Sequence, residues 1–296
     1  MASTRRWSIL TAAFAVTALG ASLAVPGQAQ AQPVSSGSAS FSGDPGDFVT
    51  GGGSFSYATG TDNIDVSSSD GSTVLVSING ANGDSWNLAF DAPGDEILKP
   101  GTYDGATRWE SNGLGAGLYL FGNGRGCNTL TGTFTVEDAV FGPFGYVQKF
   151  DATFEQHCDG AVAAARGEVH IANPPPPPLL ELDPGVATTG TAVTVNGDAV
   201  IHGAVTCSKP APVTVTGRVT QVVKKRSIVS GAFSTSVDCT PDAPVPWTAQ
   251  VPSEVSAPFV HGDVEVQAQA EGLDTDFNGE VFNSTSTVVT LRKGTA

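Results

Sequence analysis

Two short stretches, Gly124-Arg125-Gly126-Cys127-Asn128 and Phe154-Glu155-Gln156-His157-Cys158, hold a guanidinium, a carboxylate, an imidazole and two amides beside a pair of cysteines. One histidine, one carboxylate and one arginine are the raw material of general acid–base catalysis. On that reading Arg125, Asn128, Glu155 and His157 form a polar site, and Glu155 with His157 would serve a secreted hydrolase. The same residue types also satisfy backbone groups beside a disulfide. No second His or Cys stands at ligand spacing for a metal. The structural role is therefore the expected one, with no chemistry of the chain's own.

A second constellation is Asp274-Thr275-Asp276-Phe277-Asn278-Gly279, which copies the first half of a calcium loop. Oxygens fall at alternate positions, and glycine stands sixth, where such a loop turns sharply. Asp274, Asp276 and Asn278 are the candidate ligands of a calcium-dependent adhesion protein. The twelfth position is Thr285, where a bidentate Glu should stand, and an acidic glycine turn is the plainer reading. No other cofactor is expected. Lys224-Lys225-Arg226 is a basic cluster in an acidic chain and reads as a solubilising hairpin tip. Trp109, Tyr119, Phe141, Phe144 and Tyr146 would make a sugar-stacking platform if exposed together, and otherwise cap the end of a sandwich. There is no nucleophile elbow, no His-Glu-x-x-His and no phosphate loop, and His157, His170, His202 and His261 are scattered.

These residues need elements to hold them. Leu130, Gly132, Phe134 and Val136 alternate with Thr131, Thr133, Thr135 and Glu137, and Phe150, Ala152 and Phe154 interleave with Asp151, Thr153 and Glu155. Both runs have the period of two that marks a strand with one buried face. Folding the chain about Gly142 sets Phe134 opposite Phe150 and brings Cys127 beside Cys158. Cross-strand neighbours satisfy the reach of a disulfide, with a bulge absorbing the offset. Cys127–Cys158 is the expected bridge.

Upstream, residues 1–31 carry Arg5 and Arg6, an apolar run from Trp7 to Val25, and Ala29-Gln30-Ala31 as a small-x-small cleavage site, which together read as a secretory signal. No later stretch is long or apolar enough to span a bilayer. The whole chain carries a formal charge of −15, and the signal contains two arginines and no acid, so its removal leaves the rest more acidic still. Such a balance repels nucleic acid and anionic lipid. Four cysteines in an exported chain point to two disulfides.

Residues 32–46 are rich in serine and glycine and are expected to be a flexible leader. From 47 to 172, short strand candidates separated by Gly, Asn, Asp and Pro clusters describe one all-β module, a sandwich or barrel. This module resembles a family of uncharacterised secreted bacterial β-sandwich modules. The resemblance rests on Trp86 to Pro93, on Leu98 to Arg108, on Gly122-Asn123-Gly124-Arg125-Gly126-Cys127-Asn128 and on Phe154-Glu155-Gln156-His157-Cys158. It implies export and a disulfide, and no activity.

Residues 173–179 open with Asn173 and five prolines, a stiff polyproline spacer. From 180 to 293 a second alternating array follows. Val193 and Val195 share a strand, Val205 and Cys207 share a parity, and Val213, Val215, Gly217 and Val219 face Phe233, Val237 and Cys239 if Lys224-Lys225-Arg226 makes the turn. Both cysteines then point inward, and Cys207–Cys239 is the expected core bridge. The strand count matches an immunoglobulin-like sandwich. The array is similar to secreted actinobacterial immunoglobulin-like modules on the strength of Val205-Thr206-Cys207-Ser208, Cys239 and Trp247, although Trp247 follows the second cysteine. Two tandem all-β sandwiches acting as an extracellular binding or structural module, with a cell-surface glycan or protein as partner, is the expectation.

Overall fold

The structure, a computed structural model, describes residues 23–24, 31–94, 96–224 and 227–294. The expected signal lies outside the described residues except for Leu23, Ala24 and Ala31, as do Lys225 and Arg226 of the basic cluster. Strands dominate: β1 (Leu23–Ala24), β2 (Gln32–Pro33), β3 (Ser36–Gly43), β4 (Ser54–Ala58), β5 (Asn63–Ser69), β6 (Thr73–Asn79), β7 (Ser85–Asp91), β8 (Gly101–Arg108), β9 (Gly117–Gly122), β10 (Leu130–Phe141), β11 (Val147–Cys158) and β12 (Ala164–Ala172) come first. Then follow β13 (Leu182–Val186), β14 (Thr189–Val193), β15 (Ala199–Cys207), β16 (Ala211–Val223), β17 (Ser227–Cys239), β18 (Val245–Val251), β19 (Gly262–Asp274) and β20 (Gly279–Gly294). The chain divides into two units, and Leu273–Glu280 is grouped with Ala24–Leu180 in the first.

In the first unit the strand order is β2-β5-β6-β7-β9-β8-β10-β11-β12-β3-β4. Gln32 and Pro33 pair with Val66 and Asp65, Val34 N–H donates to Ile64 O at 2.9 Å, and Ser36 to Gly43 pair with β12. The segment from Gln32 to Gly43 therefore joins β5 to β12, and the sheet returns to its start. The expected leader is thus a structural strand, a correction for residues 32–43. Its alternation is strict but written in small residues: Ala39 and Phe41 are buried, Ser36 and Ser42 exposed. Gly37 has no room for a side chain, since a Cβ there would lie 2.6 Å from His170 O.

The hairpin of β10 and β11 also differs from expectation. Phe134 pairs with Phe154 and Leu130 with Cys158, four residues from the register that pivots on Gly142. The reversal is the 3-10 turn Pro143–Gly145, where Phe144 takes φ 53, and a pivot at Phe144 accounts for the whole shift, since the two bulges in the ladder offset each other. The inward face is unaffected because the shift is even. Phe90 lies at the centre of the core, with the rings of Phe134, Phe150 and Phe154 at 5.5, 5.3 and 6.2 Å. Each fully buried ring of this kind contributes roughly 1.5–3 kcal/mol of burial energy. At one end, Trp86 Nε1–H donates to Tyr57 Oη at 2.8 Å and Tyr57 donates to Asp84 at 2.6 Å. Burial first, then the hydrogen bond to Asp84, pushes the Tyr57 phenol up to about 12.

In the second unit, β13 and β14 lie in succession along β15, and β14 also pairs in parallel with β20. β18 covers the remaining edge of β15, while β20, β19, β16 and β17 follow in order. One layer thus passes to the other through β14. The hairpin of β16 and β17 has the expected register, Ala211 opposite Cys239, Gly217 opposite Phe233 and Val223 opposite Ser227. The expected strand through Val195 ends at Val193, where Gly197 N–H bonds back to Val193 O and leaves Val195 exposed. Cys207 and Cys239 are joined with Cα atoms 6.2 Å apart, and Trp247 stacks on Phe233 with centroids 5.8 Å apart.

Candidate functional site

Strand β11 delivers the candidate residues, and its alternation sorts them. Glu155 and His157 point outward, whereas Gln156 is fully buried between them. The Gln156 carboxamide accepts from Leu120 N–H at 2.8 Å and donates to Leu120 O at 3.0 Å. Parallel pairing of β8 with β9 extends only through Thr107 and Arg108, so Leu120 lies beyond it and the amide completes its bonding. Buried backbone groups need such partners. Gln156 is thus a fastener of β9 and not part of the outer polar group in which its neighbours stand.

Outside, Glu155 Oε1 lies 3.0 Å from His157 Nε2 and Glu155 Oε2 accepts from Arg166 Nε–H at 2.6 Å. Arg166 sits opposite Glu155 in the ladder between β11 and β12, and its Nη1 donates to both oxygens of Asp44 at 3.0 Å. The second imidazole nitrogen, Nδ1, is 3.1 Å from Val162 O. Asp44 Oδ2 also accepts from Ala164 N–H at 3.1 Å. Hydrogen bonding to Arg166, then to His157, holds the Glu155 carboxyl below its ordinary range. The Ala164 amide, then Arg166, does the same for Asp44, and Glu155 followed by Asp44 raises Arg166.

The four candidate residues do not converge. Asn128 donates to Asp159 Oδ2 at 3.3 Å, in a separate cluster where Asp159 Oδ1 accepts from Thr129 N–H at 2.7 Å. That amide is the main cause of a lowered Asp159 carboxyl. Arg125 closes the turn Gly122-Asn123-Gly124-Arg125, whose central residues have φ 48 and 73, the left-handed pair that suits a two-residue hairpin. Its guanidinium covers Gly51, where a Cβ would stand 2.7 Å from Nη1. Cys127 and Cys158 are bridged with Cα atoms 5.0 Å apart, both buried, so the bridge ties this turn to the end of β11. Arg166 and Asp44 were missed from sequence. Alternation puts Arg166, Glu168 and His170 on one face of β12, but it does not say which strands β12 pairs with, and that pairing is what brings Arg166 to Glu155 and Asp44.

Asp274 is fully buried at the end of β19, with Oδ2 accepting from Leu180 N–H at 2.7 Å and Oδ1 from Asp276 N–H at 3.1 Å. Its carboxylate therefore serves the backbone of the turn. Asp276 and Asn278 are exposed. Among the described residues no three His, Cys, Asp or Glu side chains gather as a metal set. The aromatic platform is not assembled. Tyr119 is buried, stacks on Phe121 at 4.6 Å and is covered by Arg108, while Phe144 and Tyr146 meet Phe277 at 5.6 and 6.3 Å.

These features define a class: an all-β chain of two units, each with one disulfide. Two bridges and no free cysteine point to folding in an oxidising, extracellular type of environment. Among the described residues no helix is long and apolar enough to cross a membrane. No family model matches the chain, and no curated protein matches it either.

Proposed function

We propose that the chain is an exported binding or structural module that performs no catalysis. One observation carries this reading: both oxygens of Glu155 and both ring nitrogens of His157 already face partners within the protein. A general base needs a free lone pair within reach of its substrate, and this pair has to break its own network to supply one. The amino-terminal signal pattern and the two bridges support export. The succession of β13 and β14 along β15, with parallel pairing to β20, supports an immunoglobulin-like second unit. The resemblance of the first unit to secreted bacterial β-sandwich modules rests on its cysteine motifs.

The partner is a glycan or protein at the cell surface, contacted through loops of the first unit. Phe48 and Val162 support this, since both are large apolar side chains exposed in loops beside the network, at 58% and 92%. Assay of the purified chain on a panel of glycosides and esters, beside a Glu155→Gln variant, tests the reading. No turnover is expected from either. Turnover by the wild type that disappears in the variant establishes the hydrolase instead.

A further inference from the structure

The second unit carries a groove of about 640 Å³ that nothing in the first unit's loops explains. It crosses β17, β16, β19 and β20, and its rims are Thr216, Arg218, Gln267, Gln269, Ser284 and Ser286. The ladder sets these in rows: Arg218 lies opposite Ala232 on one side and Gln267 on the other, and Thr216 lies opposite Gln269. Between the rows the floor is the sheet itself, at Gly217 and Ala268. Ala232 is short and leaves the end over β17 open. Four strands about 4.8 Å apart give a length of about 14 Å, enough for about three linked sugar rings.

The chemistry of the rims selects the ligand. Amides offer a donor and an acceptor side by side, and hydroxyls offer both in one atom, which matches vicinal hydroxyl groups. In a chain of net charge −15 the groove is lined by no carboxylate, and its one charge, Arg218, is spent on Glu254 at 2.7 Å. Glu265 Oε1 accepts from Gln267 Nε2–H and Ser286 Oγ–H, each at 3.3 Å. That contact fixes the Gln267 amide and turns its carbonyl oxygen free of Glu265, so part of the hydrogen-bonding array is ordered before any ligand arrives. A polyanion finds no free cation here, and the two acids beside the rims, Glu254 and Glu265, are already engaged by Arg218 and by Gln267 and Ser286. We infer that this groove binds a neutral oligosaccharide lying across the strands, at a site separate from the first unit's loops.

The test uses the full isotope-labelled chain and follows the side-chain amide resonances of Gln267 and Gln269 during titration. The probes are maltotetraose, cellotetraose, xylotetraose and the tetramer of N-acetylglucosamine, with the peptide Ser-Gly-Ser-Gly as a neutral non-sugar. At least one tetrasaccharide is expected to give saturable shifts at both amides, and the peptide none. Gln269→Ala should weaken binding roughly two- to tenfold, the loss of one hydrogen bond. Ala232→Trp should block the open end and abolish binding with the melting temperature kept. The inference is overturned if no tetrasaccharide shifts these amides saturably, if the peptide binds as well, or if both variants bind as the wild type does. Shifts confined to the first unit's loops overturn it too, while leaving the proposed function standing.

Discussion

The two bridges invite comparison because they close loops of almost equal length, with sequence separations of 31 and 32 residues. In the chain-entropy model each restricts the unfolded state by about 3–4 kcal/mol, so loop length does not distinguish them. Their surroundings do. Beside Cys127–Cys158, the buried Gln156 amide is bonded at both ends to Leu120 and its Nε2 lies 3.8 Å from Cys127 Sγ. In the unit that holds Cys207–Cys239, Trp247 and Phe233 are buried and stacked, and the Trp247 indole N–H has no hydrogen-bond partner. Each unit buries a satisfied glutamine, Gln221 closing on Val260 N–H and O in the second as Gln156 does on Leu120 in the first, so the contrast lies between a buried group that is bonded at both ends and the Trp247 N–H, which is not bonded at all. A satisfied buried amide is costly to lose because its partners are stranded, whereas an unbonded N–H is cheap to remove.

That contrast yields the largest expected effect. Gln156→Ala strands the Leu120 N–H and C=O inside the core and should cost about 4 kcal/mol, read as a loss of denaturant midpoint with unchanged slope. Trp247→Phe keeps an aromatic ring against Phe233 and removes the unbonded N–H together with part of the buried indole, so its cost should be the cavity alone, about 1–2 kcal/mol. Equal losses from the two variants would erase the distinction between a bonded and an unbonded buried group.

How much of this was readable beforehand depends on where the information lay. The β16–β17 hairpin was legible because parity is kept on both sides of the basic cluster, which turned Cys239 inward, while Val205 did the same for Cys207. The β10–β11 register was not, because Gly142-Pro143 advertises a turn while the left-handed residue is Phe144, a type that rarely takes φ 53. Ser36 to Gly43 hid a strand behind a composition typical of loose chain. In the candidate site, proximity in sequence grouped Gln156 with Glu155 and His157, although period-two alternation sends it to the opposite face. Arg166 and Asp44 were out of reach without knowing that β12 pairs with both β11 and β3.

The smallest expected effect concerns the outer network, which has no counterpart of the same extent among the described ion pairs of the second unit, where Arg218 meets Glu254. Glu155 is held below its usual 4.5, so the unfolded chain takes up the proton first as the pH falls. The stabilisation is complete above about pH 4.5 and is lost as the pH drops through the lowered folded value. Exposed pairs are screened by water and contribute little. Glu155→Gln should therefore lower the melting temperature only slightly at neutral pH, and the variant and wild-type curves should converge in acid. A gap that persists or widens in acid would show that the network acts through something other than ionised Glu155.

Peptide mass mapping of the unreduced protein tests most directly whether each unit is clamped within itself. The expected result is two linked pairs, Cys127 with Cys158 and Cys207 with Cys239, and no free thiol. A link between the units, or thiols open to alkylation, contradicts the account.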